Sequence, residues 1–168
     1  DLYAYLNPVS EGITVNVNGK PVEYEVDKGY AVITREWRKG DVIEYNIPMN
    51  IHRVIANSKV SADLDKVALE RGPIVFCLEG IDNQNRIKSI VLADNEPLST
   101  AYVPDKLNGI QTISGNIIVF EPSPDGLAVN SDTQEFIAIP YYVWSNRGIN
   151  EMKVWIPRRI GELRLTAE

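Results

Sequence analysis

The first fifty residues alternate apolar and polar side chains with a period of two, the pattern of a strand with one buried face. Residues 13–17 alternate in this way and end at Asn18-Gly19, a dipeptide that supplies the positive φ of a tight hairpin turn. Three similar runs follow, at residues 22–26, 30–37 and 42–49, with turns at Lys28-Gly29 and Lys39-Gly40-Asp41. The pattern therefore predicts four strands in a meander.

The pattern weakens between Ser58 and Arg71, where several residues also favour helix, and we predict a strand there. Gly72-Pro73 then punctuates the chain, and the apolar run Ile74–Leu78 is typical of a strand buried between two sheets. Further strands are predicted at 86–92, 98–103, 110–113, 116–120, 135–142 and 152–156. The polar loop Pro122–Thr133 is predicted to project from the sheet, and the tail after Pro157 to form a last edge strand or a frayed end.

These elements predict an all-β fold, an antiparallel β-sandwich made of two small sandwich subdomains. The most polar stretch, 82–85, gives the predicted boundary between subdomain I (1–83, incomplete at its N-terminus) and subdomain II (84–168). A chain of 168 residues can bury about two thirds of the surface of its unfolded state, so it should fold without covalent staples.

The chain carries a net charge of −6 with scattered basic residues, which disfavours nucleic acid and anionic membranes as partners. Its apolar runs are much shorter than the roughly 20 residues that span a bilayer. No signal-like segment opens the sequence, and Asp1 stands where an initiator Met is expected. We therefore expect the chain to be cut from something longer, which leaves its localisation undetermined.

Soft metal ligands and reactive nucleophiles are scarce. Cys77, the single cysteine, excludes an internal disulfide, and with His52 it offers fewer than the three or four ligands that zinc usually needs. Cys77 also lies in an apolar run, where burial raises the pKa of a thiol and makes it inert. We predict no metal-binding residue in this chain.

Oxygen ligands are more numerous, but their spacing indicates polar surface. Asp63 with Asp65, and Asp94 with Glu96, could each share a strand face, yet such pairs are more often solvated than catalytic. The loop that precedes the strand at 135–142 could bind calcium, although an ordinary polar turn is the favoured interpretation. Its oxygen donors are Asp125, Asn130, Asp132 and Glu135. We predict no catalytic residue.

The densest group of aromatic and polar side chains lies at 141–147. Rings on a sheet can stack on sugars while charged neighbours hold hydroxyl groups, but Tyr, Trp and Arg are also typical interface anchors. If this segment is a strand, Tyr141 and Tyr142 point to opposite faces, so only one of them can join Trp144. The candidate residues for sugar binding or an interface are Tyr142, Trp144, Asn146 and Arg147.

Three other residues receive a structural interpretation. Trp37 and Trp155 each lie in a predicted strand of alternating pattern. Arg71, just before Gly72-Pro73, is a candidate partner for the carboxylate of Glu79.

Four blocks of sequence resemble the C-terminal region of glycoside hydrolase family 127, the β-L-arabinofuranosidases. They are VNGKPV (17–22), ITREWRKGDVIEYNIPM (33–49), VALERGPIVFCLEGIDN (67–83) and IPYYVWSNRGINEMKVWIP (139–157). The resemblance implies a bacterial parent enzyme that removes arabinofuranose from plant glycans. Its catalytic part would be an (α/α)6 barrel, with a cysteine nucleophile held near zinc by a glutamate and further cysteines, including a vicinal pair.

This sequence has no vicinal cysteine pair, so no catalytic role transfers to it. The resemblance implies a non-catalytic accessory region that supports the barrel and has no cofactor of its own, with zinc expected in the barrel. Its expected partners are that barrel, a second copy of the chain or a glycan, and an uncovered docking surface would favour self-association. The alternative is a carbohydrate-binding module with an aromatic platform.

Overall fold

The structure is a computed structural model that describes residues 1–8 and 12–162. This part of the chain contains fifteen strands, four 3-10 helices and no α-helix. Its strand pairings are all antiparallel, which confirms the predicted all-β antiparallel fold. None of its helical segments has the length and apolar character needed to cross a membrane.

The strands follow one another with short connections. They are β1 (Tyr3–Tyr5), β2 (Thr14–Val17), β3 (Lys20–Pro21), β4 (Glu25–Asp27), β5 (Tyr30–Val32), β6 (Ile43–Asn46), β7 (Ile51–Ala56), β8 (Lys66–Arg71), β9 (Ile74–Glu79), β10 (Ile90–Val91), β11 (Ser99–Val103), β12 (Ile110–Pro122), β13 (Val129–Pro140), β14 (Met152–Lys153) and β15 (Ile156–Pro157). The 3-10 helices are Ser61–Asp63, Gly80–Asp82, Tyr141–Val143 and Ile160–Glu162.

The described residues form two compact units. The larger unit combines residues 1–8 with those from Ile51 onward, and the smaller unit contains those up to Asn50. The predicted boundary between residues 83 and 84 falls inside the larger unit, where β9 before it pairs with β13 after it. The structure therefore divides the chain near residues 8 and 50, because hydrogen bonding across the polar stretch joins both of its sides into one sheet.

The larger unit is built on one ten-stranded sheet with the order β1-β7-β8-β9-β13-β12-β10. Next to this path, β11 pairs with β12, β14 with β9 and β15 with β8. The segment 152–157 thereby bridges the open end of the β8–β9 hairpin. The backbone N–H of Leu92, just after β10, donates to the carbonyl of Pro157 in β15 over 2.9 Å. The sheet therefore curls so that β10 approaches β15.

Apolar side chains on one face of this sheet form the main core. In the pairing register Leu69 faces Phe76 and Leu78 faces Ala138, and all four are buried. Cys77 lies between Phe76 and Leu78, so its side chain points to the opposite face. There it packs in a second, smaller buried cluster with Ile110 and Ile139. The sheet thus has one fully packed face and one face that is covered only in part.

Several predicted strands differ from the observed ones in the larger unit. The strands predicted at 110–113 and 116–120 are one continuous strand, β12, which passes through Gly115. β13 begins at Val129, so the second half of the predicted projecting loop belongs to a long hairpin. The strand predicted at 135–142 is confirmed as far as Pro140, where β13 ends, but its last two residues are wrong, since Tyr141 and Tyr142 lie in a 3-10 helix.

Other differences concern strand length. The strand predicted between Ser58 and Arg71 is confirmed only at β8, and the one at 86–92 is reduced to β10. β1 and β7 were not predicted from the pattern. After Pro157 the chain forms a 3-10 helix at Ile160–Glu162, and the rest of the predicted tail, residues 163–168, lies outside the described residues.

The smaller unit contains a three-stranded sheet, β3-β2-β6, and the hairpin β4–β5. The three predicted turns are confirmed, with φ values of 53° and 73° at Asn18 and Gly19, of 48° and 87° at Lys28 and Gly29, and of 95° at Gly40. Val15 and Val17 are the hydrophobic residues that the described part of this unit buries. Most of its other large apolar side chains are exposed, so the unit has little core of its own.

Gly115 provides a test of how β12 packs. A Cβ at this position would lie 2.9 Å from Leu98 Cδ2, 2.9 Å from Pro97 O and 3.2 Å from Phe136 Cε1. We expect Gly115→Ala to destabilise the chain by about 1–3 kcal/mol, because backbone and a buried ring must shift to admit the methyl group. Urea unfolding measures the change, with Gly161→Ala as the control, since nothing lies within 4 Å of a Cβ there. Equal stability of the two variants would contradict the packing described.

Candidate functional site

Three loops of the larger unit converge beside the C-terminal end of β9. They span 80–86, 104–109 and 141–151, and the backbone N–H of Gly80 donates to the carbonyl of Glu151 over 2.8 Å. Several non-glycine residues in them adopt left-handed backbone conformations, which is uncommon and costs free energy unless the surroundings hold the backbone there. These residues are Gln84, Asn85, Leu107, Asn108 and Ser145, with φ between 49° and 65°. One ion-pair network lies between these three loops.

Arg147 is at the centre of this network. Its guanidinium donates to Asp82 Oδ1 over 2.8 Å and to Asp82 Oδ2 over 2.5 Å, which is a bidentate contact. It also donates to Glu79 Oε2. Lys106 Nζ forms a second ion pair with Asp82. The side chain of Glu79 is fully buried and that of Asp82 nearly so. Two carboxylates and two cations, from the end of β9 and from the three loops, thus neutralise one another inside the unit.

Hydrogen bonding keeps the buried acids ionised. Burial alone would raise the pKa of Glu79, but donors from Ser145 N–H at 2.8 Å, from Arg147 and from Asn150 Nδ2 at 3.3 Å lower it below its ordinary 4.5. Asp82 responds in the same way, since Arg147 and Lys106 outweigh burial and lower its pKa below 3.8. The pKa of Arg147 is raised, chiefly by its hydrogen bonds to Asp82. Neither carboxylate can therefore act as a proton donor near neutral pH.

The structure places the predicted site residues on one loop but points them in different directions. Arg147 points inward to Glu79 and Asp82, and Asn146 Nδ2 donates to the Val143 carbonyl over 3.1 Å. Tyr142 is 67% exposed and Trp144 is 37% exposed. The ring that accompanies Trp144 is Tyr141, with centroids 6.1 Å apart, since the 3-10 helix replaces the strand geometry.

Three residues of the network were not predicted as parts of a site. Glu79, Asp82 and Lys106 lie far from Arg147 along the chain, and the interpretation of Arg71 as the partner of Glu79 is wrong, because Arg147 takes that place. One sequence signal pointed to Glu79: an acidic residue directly after a buried apolar run must have a compensating partner.

The remaining candidate nucleophile and metal ligands have other roles. Cys77 is fully buried, and burial, followed by the charge of Glu79, raises the pKa of its thiol to about 12, as expected from its apolar surroundings. His52 stacks on Tyr5 with ring centroids 4.2 Å apart. Among residues 1–8 and 12–162 no group of three or more His, Cys, Asp or Glu side chains could hold a metal ion.

The acidic pair Asp94 and Glu96, and two of the candidate calcium ligands, are also committed to structural contacts. Asp94 accepts two hydrogen bonds from Arg158, each of 2.6 Å, and Glu96 Oε1 accepts from the backbone and side chain of Asn116. In the candidate calcium loop, Asp125 accepts from Ser123 Oγ and from the Leu127 N–H, and Asp132 pairs with Arg86. These carboxylates therefore stabilise turns and loops.

Of the two tryptophans that received a structural interpretation, Trp155 packs on another ring and Trp37 lies at the surface. Trp155 stacks on Tyr3, with ring centroids 5.6 Å apart. Trp37 lies outside the strands and is about half exposed, with the Arg35 guanidinium 5.1 Å from its ring centroid. Trp37 is therefore a surface residue.

The fold and the network define the chain as an antiparallel β region whose acidic side chains brace loops. Residues 51–157 match the description "Glycoside hydrolase family 127 C-terminal domain", and residues 8–49 match "Beta-L-arabinofuranosidase, GH127 middle domain". The chain therefore belongs to glycoside hydrolase family 127, and the predicted resemblance is confirmed. The boundary between the two matches also agrees with the division near residue 50.

Individual relatives are similar over most of this chain. A non-reducing end β-L-arabinofuranosidase of Bifidobacterium longum subsp. longum is 32% identical over 155 residues, which cover 84% of this chain and 23% of that protein. The solved structure of a GH127 β-arabinofuranosidase has a TM-score of 0.91 and 38% identity over 98% of this chain and 26% of that one. A GH127 β-L-arabinofuranosidase from Geobacillus stearothermophilus T6 has a TM-score of 0.80 and 37% identity over 88% and 24%. The chain thus spans about a quarter of the length of the relatives it matches.

Arg147→Met tests the ion-pair network. Removing the guanidinium leaves the buried Glu79 without a cationic partner and Asp82 with Lys106 alone, so we expect a loss of about 3–5 kcal/mol in the free energy of unfolding. Arg159→Met is the control, since Arg159 is mostly exposed and lies 3.8 Å from Asp65, and we expect it to change stability by less than about 0.5 kcal/mol.

The pH dependence of the loss identifies its cause. Folding lowers the pKa of Glu79 and Asp82, so the stabilisation is complete above their ordinary values of 4.5 and 3.8 and disappears as pH falls through the lower folded-state values. The difference between wild type and Arg147→Met should shrink in that acidic range when denaturant unfolding is measured across pH. A difference that is independent of pH would mean that packing, not charge, explains the loss.

Proposed function

We propose that this chain is the non-catalytic accessory β region of a glycoside hydrolase of the β-L-arabinofuranosidase type. Its role is to support a catalytic barrel that this sequence does not contain. The observation that carries the proposal is the pair of matches to the middle and C-terminal domains of the family, over a chain that covers about a quarter of its relatives. The parent enzyme would act on plant-derived glycans that contain arabinose.

The chemistry of the described acids supports a non-catalytic role. Glycoside hydrolysis commonly uses two carboxyl groups about 5 to 10 Å apart, one of which must exchange a proton. Glu79 and Asp82 are neutralised by Arg147 and Lys106, and Asp94 is paired with Arg158. Cys77 is held as the neutral thiol by its raised pKa, so it is no nucleophile at neutral pH.

The zinc that the resemblance implies belongs, in this proposal, to the missing barrel. The single cysteine here is buried, and the described residues provide no set of three or more donors for a metal ion. No residue of this chain is therefore assigned to zinc, and no chemical step of this chain involves it.

The exposed apolar side chains of the smaller unit are consistent with an accessory role for the chain. A unit of about 40 residues rarely buries enough surface to be stable alone. Here the apolar side chains of Val26, Tyr30 and Tyr45 are mostly exposed. Covering them requires apolar surface from outside this unit, as an accessory region docked on a larger enzyme would receive.

The proposal is tested by comparing the purified chain with its full-length parent on an aryl β-L-arabinofuranoside. We expect turnover by the parent and none by the chain above the rate without protein, because Glu79, Asp82 and Asp94 are held in ion pairs and Cys77 is a buried neutral thiol. Turnover by the chain that Glu79→Gln or Cys77→Ser abolishes would overturn the non-catalytic assignment. An inactive parent would overturn the assignment to this enzyme class.

A second candidate function is sugar binding at the loop 141–151, the site predicted at Tyr142, Trp144, Asn146 and Arg147. The observation that favours it is the exposed ring of Tyr142 beside the Tyr141–Trp144 pair. Against it, the guanidinium of Arg147 is already committed to Glu79 and Asp82 and has few donors left for hydroxyl groups.

Titration with arabinan oligosaccharides distinguishes the two candidates. A supporting module should show no saturable change in tryptophan fluorescence, which is the result we expect. A sugar site at this loop would give a saturable change that Trp144→Ala and Tyr142→Ala remove. Trp37→Ala is the matched control, since Trp37 is a half-exposed tryptophan of the smaller unit and its loss should leave such a signal in place.

A further inference from the structure

The partly covered face of the large sheet carries an aromatic patch, formed by Tyr3, Tyr5, His52, Glu70 and Trp155. Tyr5 is paired with Val54, two residues from His52, and His52 is paired with Glu70, so these side chains share one face. β1 is the edge strand of the sheet, and both of its tyrosines lie on this face. The patch therefore occupies one end of the sheet.

The rings of the patch are ordered by stacking. Tyr5 and His52 are nearly parallel, with an interplanar angle of 11° and centroids 4.2 Å apart. Tyr3 and Trp155 stack at 5.6 Å. A cavity of about 310 Å³ opens between the tyrosines and is lined by Val54 and Glu70 as well. Tyr3 and Tyr5 nevertheless remain 47% and 41% exposed, so a preformed apolar groove faces outward.

The same face is covered elsewhere by the chain itself. Next to the patch, Cys77 and Ile139 are buried beneath Val143, Met152 and Val154. Val143 lies in the loop held by Arg147, and the other two residues follow that loop. Val154 is the last residue that packs over this cluster, and the next residue, Trp155, belongs to the patch. The uncovered area therefore borders a buried apolar cluster.

The position of β1 indicates what covers the patch. β1 precedes the segment matched to the middle domain, yet it pairs with β7, the first strand of the segment matched to the C-terminal domain. Relatives are about four times as long as this chain, and since the chain matches their C-terminal domain, most of their polypeptide precedes the segment equivalent to β1. In such a protein the preceding polypeptide enters the C-terminal sheet directly at the patch.

We infer that the aromatic patch is the docking surface for the part of the parent enzyme that precedes Asp1. The inference rests on the proposed function, because it requires the chain to be the accessory region of a larger protein. The partner surface should present apolar side chains to Tyr3 and Tyr5. It should also present a hydrogen-bond donor to Glu70, since a carboxylate enclosed by an interface must be paired.

Hydroxyl-radical footprinting with mass spectrometry tests this inference. The modification rates of Tyr3 and Tyr5 are measured in the isolated 168-residue chain and in the full-length parent. We expect a several-fold lower rate for both tyrosines in the parent, because the interface excludes solvent from their rings. Tyr102 is the internal control, since it is an exposed tyrosine in β11, another edge strand of the same sheet, and its rate should be equal in both samples.

Other possible occupants of the patch would give different footprinting results. Protection of Tyr3 and Tyr5 in the isolated chain that grows with protein concentration would assign the patch to a second copy. Protection in that chain on addition of arabinan oligosaccharides would assign it to a glycan, and equal rates in chain and parent would leave it uncovered. Each of these three results overturns the inference.

The activity of the same parent sample separates this inference from the proposed function. A parent that hydrolyses the aryl β-L-arabinofuranoside but leaves both tyrosines reactive refutes the docking surface alone. A parent that protects the tyrosines but has no such activity refutes the proposed enzyme class and retains the docking surface.

Discussion

The buried ion-pair network of Arg147 is the constraint on which the larger unit depends. Glu79 ends β9 and has no contact with solvent, so its charge requires the guanidinium that the loop 141–151 provides. Once Arg147 is fixed, the loop returns along β9 and places Met152 in position to pair with Glu79 as β14. β15 then closes the open end of the β8–β9 hairpin. One charge pair thereby sets the path of the last described strands.

The network also determines how the two faces of the sheet are used. The main core needs no polar group, because side chains of β8, β9, β12 and β13 cover one another as the sheet curls. On the other face, Cys77 and Ile139 are covered by the loop held by Arg147, by the residues that follow it and by Leu107. Beyond this cover the same face ends in stacked aromatic rings with exposed edges. The extent of this cover thus separates a buried cluster from the exposed aromatic rings.

Features set by local sequence could be predicted. The alternating pattern and the dipeptides Asn18-Gly19 and Lys28-Gly29 specify their hairpins through nearest neighbours, and the run before Glu79 identifies β9. The gap predicted between residues 113 and 116 does not exist, since β12 is continuous and its Gly115 lets Leu98 and Phe136 approach the strand. Such close approach depends on residues distant in sequence, and the same holds for β1, which is only three residues long.

The candidate site shows why residue types alone could not decide its role. A cluster of tyrosine, tryptophan, asparagine and arginine is equally suited to sugars and to interfaces. Arg147 and Glu79 are 68 residues apart, so no spacing rule connects them. Their pairing turns the arginine from a recognition group into an anchor, and it leaves only the aromatic rings of the loop available to a ligand. Because an arginine neutralised by two carboxylates has little charge to offer a partner, the loop is better suited to apolar contact than to recognition of a polar ligand.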